Sequence, residues 1–188
     1  MFFLINMKKF LIVLLNFIVL SVYGRDLPVK TFEFEPFLGA TYGLSSQAGH
    51  RDIGQAIGME GRWNIRKYPF DMGIQLYLGS AETYYKRVEY ISCRTLSFTV
   101  IGDYNWKRGS SFSPFVGLGL GLNYYDMIGS ELYQHYNDTD LLGLGLVPRA
   151  GIEFFRHIRI TLTGHLGKKT YNTVGLTLGY AFGGGKRK

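Results

Sequence analysis

From Thr31 onward the chain alternates apolar and small or polar residues with a period of two, the signature of strands with one face against an apolar phase. Four runs are clear. Thr95 to Tyr104 sets Leu96, Phe98, Val100 and Tyr104 against Thr95, Ser97, Thr99 and Asp103. Phe115 to Tyr124 sets Val116, Leu118, Leu120, Leu122 and Tyr124 against Gly117, Gly119, Gly121 and Asn123. Phe70 to Gly79 and Thr173 to Phe182 repeat the pattern, with Met72, Ile74 and Leu76, then Leu176, Leu178 and Tyr180, on the apolar side. Weaker runs cover Thr31 to Gly43, Asp52 to Asn64, Leu141 to Phe155 and Ile158 to Gly167, which makes eight predicted strands. No amphipathic helical pattern competes with them.

The residues on the non-apolar face decide the architecture. They are mostly glycine, serine and threonine, too small and too weakly charged for the wet face of a soluble sandwich. An eight-stranded antiparallel up-and-down transmembrane β-barrel accounts for them, because its lumen is just wide enough to be filled by side chains while the other face meets lipid. Connections alternate accordingly. Leu44 to Arg51, Ser80 to Lys86, Met127 to Asp140 and Lys168 to Asn172 are expected outside, and Ile65 to Tyr68, Lys107 to Ser113 and Arg156 to His157 inside. Trp63, Tyr104, Trp106, Tyr180 and Phe182 fall at the strand ends nearest the short turns, where an interfacial girdle belongs.

Ahead of the strands, residues 1–24 read as a signal peptide: Lys8 and Lys9, an apolar run from Phe10 to Leu20, and an exit at Ser21 to Gly24. Cleavage after Gly24 places Val22 and Gly24 at the positions a signal peptidase reads, and Met7 offers a second start directly before the charges. The barrel then occupies residues 25–182, and 183–188 form a basic periplasmic tail.

Composition and charge sharpen this picture. Aromatics reach 16% and glycine 25 of 188 residues, against 19% charged. Mean hydropathy of +0.02 averages an apolar leader with strands that are apolar at every second residue. One cysteine, Cys93, excludes intramolecular disulfides and thiolate-rich metal sites. Loss of Lys8 and Lys9 lowers the formal charge from +7 to +5, of which Lys186, Arg187 and Lys188 supply three, so the basicity does not point to a nucleic-acid partner.

The chain resembles the small outer-membrane β-barrel proteins of Gram-negative bacteria, the OmpA-like and OmpX-like eight-stranded group. The carriers are the signal peptide, Gly102 to Trp106, Pro114 to Gly121, Val147 to Glu153 and the closing run Val174 to Phe182. The resemblance implies an outer-membrane location, outer-membrane lipid around a monomeric barrel, and a closing strand offered to the barrel-insertion machinery. One departure stands: such a closing signal usually ends the chain, whereas Gly183 to Lys188 follow Phe182 here.

Candidate chemistry is sparse. Glu33, Glu35, Glu60, Arg62, Asp71, Asp103, Arg149, Glu153, Arg159 and His165 share the lumen phase, and their mixed signs fit a plug of charge pairs better than a conduit or an acid/base site. Lipid A deacylases of this architecture carry a His-x-Ser pair on a late strand; His165 is so placed, but Gly167 stands where the nucleophile would be. His50 with Asp52, or His135 with Asp138 and Asp140, could mimic a palmitoyltransferase rim or a weak cation loop, and no spacing compels either. Cys93 reads as a small inward residue. No catalytic, cofactor-binding or metal-ligating residue is assigned, and no cofactor is expected. The expected function is non-enzymatic, an envelope-structural or surface-interaction role through outward loops with Met127 to Asp140 as contact loop; a narrow pore for a small or apolar solute and a lipid A-modifying enzyme are the alternatives.

Overall fold

The computed structural model describes residues 30–44, 50–65, 68–85, 89–128 and 142–183. Eight strands follow in order: β1 (Phe32–Gly43), β2 (His50–Asn64), β3 (Phe70–Tyr85), β4 (Glu89–Asn105), β5 (Phe112–Ile128), β6 (Leu142–Phe154), β7 (Ile158–His165) and β8 (Thr173–Tyr180). Each pairs antiparallel with its neighbours in sequence, and β1 pairs with β8 from Phe37↔Gly179 to Gly43↔Thr173 to close the barrel. Closure removes every open sheet edge, a necessity for strands in lipid.

The alternation read from the sequence is the alternation of the wall. Leu96, Phe98 and Val100 are exposed on the outer face while Thr95, Ser97 and Thr99 are buried in the lumen, and β5 repeats this with Leu118, Leu120 and Leu122 outward. Leu144 is 80% exposed and Leu120 65%, values that would be unsustainable for a whole belt in water and are the expected ones in hydrocarbon. Glycines make room inside. A side chain at Gly117 would run into the Asp103 carboxylate, and one at Gly179 into that of Glu35.

Four strands overshoot the predicted span. Ser80 to Tyr85, expected as an outward connection, continue β3, and β4 begins at Glu89 where the alternation suggests Thr95. Met127 likewise belongs to β5, and His50 and Arg51 open β2. The periodicity misses these residues because the pleat there no longer separates apolar from polar: Ala81, Glu82 and Thr83 are buried in succession, as are Ile91, Ser92 and Cys93. A shift of register in β2 between Asp52 and Ala56 marks the same level.

At the opposite end, the terminal end, where β1 begins and β8 ends, the turns are short. Phe34 and Phe182 exchange backbone hydrogen bonds of 2.9 and 2.7 Å there. The expected girdle is present and larger than predicted: Phe32 packs on Trp63, Phe70 on Tyr104, Tyr104 on Trp106, Phe112 on Phe154 and Tyr180 on Phe182, with ring centroids 4.9–5.6 Å apart. The signal-peptide segment 1–24, most of the expected contact loop and residues 184–188 lie outside the described residues.

Candidate functional site: the charged lumen

Inward phase brings together residues distant in sequence. Glu33 and Glu35 lie two apart on β1, Glu60 and Arg62 two apart on β2, and the register sets Glu33 opposite Arg62 and Glu35 opposite Glu60. Two carboxylates face each other in the second pair, an arrangement that needs cations. Three guanidiniums supply them. Arg62 reaches Glu33 and Glu35 at 3.0 Å each and Glu60 at 3.3 Å. Arg149 on β6 grips Glu60 through two parallel bonds, Nη1 to Oε2 at 2.7 Å and Nη2 to Oε1 at 3.1 Å, and places its Nε 3.3 Å from Asp103. Arg159 on β7 donates Nη2 to Asp103 Oδ2 at 3.1 Å and lies 3.6 and 3.8 Å from Glu35 and Glu60. Its guanidinium also sits 3.7 Å above the ring of Phe115, which fills the space beneath it.

A second layer closes the terminal end. Asn64 Nδ2 donates to Glu33 at 3.0 Å, and Asn105 Nδ2 to Asp71 at 2.5 Å. Arg108 comes from the turn between β4 and β5, pairs with Asp71 and donates to the Ile65 carbonyl at 3.2 Å. That turn is tucked under the mouth with Lys107 and Gly109 at φ 56° and 75°, and Arg156 Nε holds the Gly109 carbonyl at 2.6 Å. Toward the other end hydroxyls and rings predominate, with Glu82 as a buried carboxylate that accepts from Ser92. Ser97 and Thr99 share a 2.8 Å hydrogen bond, the His165 imidazole stacks on Tyr77 with centroids 3.6 Å apart, and Cys93 packs with Ala81, Ile91, Tyr125 and Tyr171.

All ten residues assigned to the lumen from phase are buried there. Eight of them, excepting Glu153 and His165, form the ion pairs described above, and Glu153 stands opposite Arg159 in the β6–β7 register. Of the histidine pairs weighed for the rim, Asp52 is exposed and accepts the Ile53 amide at 2.7 Å, while the His50 side chain and His135, Asp138 and Asp140 fall outside the described residues. Among the described residues no group of His, Cys, Asp and Glu is arranged to hold a metal ion. Sequence reasoning missed Arg108, Phe115 and Tyr77. Phe115 and Tyr77 had the inward phase and could have been named; Arg108 lies in a turn, where period-two reasoning has no purchase.

Neither a family model nor a curated protein matches the chain. Solved structures do. Neisserial surface protein A superposes with a TM-score of 0.54 at 12% identity, over 81% of this chain and 97% of that one. The fold is that of the small outer-membrane β-barrels. The N-terminal β-barrel domain of Pseudomonas aeruginosa OprF follows at TM-score 0.43 and 14% identity, over 82% and 98% of the two chains, and the outer membrane enzyme PagL at 0.46 and 16%, over 80% and 98%. With its exposed apolar belt, girdle and closed wall, the chain has the fold of an outer-membrane β-barrel.

Proposed function

We propose that this barrel is a non-enzymatic, non-conducting anchor that fixes its outward connections at the cell surface, in an envelope-structural or surface-interaction role. The observation that carries the reading is the double ionic layer. Arg62, Arg149 and Arg159 each contact more than one carboxylate across the full width of the lumen, so the charged groups that could otherwise conduct ions or move protons are spent on one another. The body is then a monomer surrounded by outer-membrane lipid, with β8 as the strand presented to the insertion machinery, and the segment Met127 to Asp140 as its contact loop.

Planar-bilayer recording tests this reading. The folded barrel is expected to give no stable open steps; steps of constant conductance would replace the anchor with the narrow-pore reading. Mass spectrometry of lipid A from cells with and without the protein addresses enzymatic function. An unchanged acyl pattern is expected, and a change abolished by His165→Ala would overturn the non-enzymatic reading.

A further inference from the structure

The charges of the lumen do not balance. At the terminal end and through the middle of the barrel six buried carboxylates, those of Glu33, Glu35, Glu60, Asp71, Asp103 and Glu153, meet four buried guanidiniums, those of Arg62, Arg108, Arg149 and Arg159. Two negative charges are left without a cation, and a buried charge is costly unless it is paired. The excess is not spread evenly. Among the described residues Glu153 alone of the six takes part in no ion pair: its register partner Arg159 is turned to Asp103 at 3.1 Å and to Glu35 at 3.6 Å. Glu153 is also the most open of the six, 9% exposed against 1–5% for the others. As the penultimate residue of β6 it stands where a cation can reach it from the terminal mouth.

The chain itself carries cations to that mouth. β8 ends at Tyr180, Phe182 exchanges backbone bonds with Phe34, and Gly183 follows at φ 91°, a left-handed backbone that favours glycine. Gly183 lies against the start of β1, since a Cβ there would stand 2.7 Å from the Phe32 carbonyl oxygen and 3.6 Å from the Glu33 Cα. The sequence then reads Gly184, Gly185, Lys186, Arg187 and Lys188, which sets three cations beside a deficit of two. Reach permits the contact. Glu153, Arg159 and Gly179 share one register row, and Gly183 comes four residues after Gly179. That offset is about 13 Å and two strand spacings add about 10 Å across, so roughly 16 Å separates Gly183 from Glu153. Three residues to Lys186 span up to about 10 Å, and the Lys186 and Glu153 side chains cover the rest.

We propose that the basic tail of this chain folds back over the terminal mouth, where a tail lysine pairs with Glu153 and the three cations supply the positive charge that the lumen lacks. The contact rests on the non-conducting reading and adds a cover to it.

Zero-length carbodiimide coupling, which joins a lysine amine to a carboxylate only in contact, reads the pairing on the full chain folded in nonionic detergent. Peptide mass spectrometry is expected to find an amide between Lys186 or Lys188 and Glu153, absent in Glu153→Gln, and none to Asp52 or Asp126 at the other end. At about 1 M salt, where the Debye length falls to ~3 Å, the yield should drop several-fold. The urea midpoint gives a second readout. Lys186→Gln with Arg187→Gln and Lys188→Gln should lower it at low salt, Lys186→Arg with Lys188→Arg should keep it, and high salt should erase the difference. These tail variants leave every barrel residue in place, so the test stands even where Glu153→Gln does not fold. A wild-type chain with no amide to Glu153, coupling of Lys30 in place of the tail, or a midpoint indifferent to the tail's charge overturns the proposal. So does an amide joining heavy and light chains in a mixture of isotope-labelled and unlabelled protein, which would make a second copy the source. Conductance separates the two readings. Open steps from a chain whose amide forms defeat the non-conducting reading and leave the contact standing, whereas a silent chain without the amide defeats the contact alone.

Discussion

Glu60 is the residue on which the lumen's electrostatics converge, with guanidinium nitrogens of Arg62, Arg149 and Arg159 and the Gln75 amide all within 3.8 Å of its carboxylate. A buried ion pair adds little net stability, because desolvation consumes its Coulombic gain, but removing one partner strands the other. Glu60→Gln should therefore destabilise the barrel by about 3–5 kcal/mol in urea titrations of the folded protein in detergent. Replacing Glu60 and Arg149 together by Met should cost less than the sum of the two single replacements, with a coupling on the order of 0.5–3 kcal/mol; strict additivity would mean that the bidentate pair does not act as a unit. Gly117→Val tests the space beside the network. Its Cβ would collide with the Asp103 carboxylate and the Gly102 carbonyl, so the expected result is a loss of the heat-modifiable species on gels. At this scale the sequence was informative wherever phase applied, as for Glu33, Arg62 and Arg159, and silent where a side chain enters from a turn, as Arg108 does.

Among the elements, the turn between β4 and β5 departs most from expectation. The inward connection expected over Lys107 to Ser113 is folded back so that Arg108 reaches Asp71, while Ser113 Oγ donates to the Trp106 carbonyl at 2.9 Å. Holding that shape places the exposed Lys107 in the left-handed region at φ 56°, which costs a residue with a Cβ roughly 1 kcal/mol. Lys107→Gly should consequently raise the urea midpoint by the equivalent of up to about 1 kcal/mol, whereas Lys107→Val should lower it. Opposite signs for these two substitutions are the check; equal effects would place the strain elsewhere. The strands show the same division. Their membrane-spanning parts were legible because lipid enforces alternation, and the upper ends of β3 and β4 were not, because Glu82 and Ser92 face each other there through a 2.9 Å hydrogen bond in place of lipid.

For the whole molecule, charge and hydrophobicity are sorted by depth as well as by face. The outward residues through the middle of the wall are apolar, and the first outward charges on β4 and β5, Arg94 and Asp126, stand opposite one another near the upper strand ends. This fixes where hydrocarbon stops, and makes the cost of a charge depend on its level. Leu120, at the centre of β5, points into the belt; Ile128, at its end, lies two residues beyond Asp126 and so above that level. Leu120→Arg should then cost about 2–4 kcal/mol in folding into lipid vesicles and Ile128→Arg about 0–1 kcal/mol, although the two leucine-sized side chains have the same chemistry and similar outward exposure of 65% and 44%. The contrast is specific to a bilayer. In a soluble barrel both arginines would reach water and both substitutions would be nearly neutral, so a matched pair of small effects would remove the membrane from the account of this fold while leaving its closed wall intact.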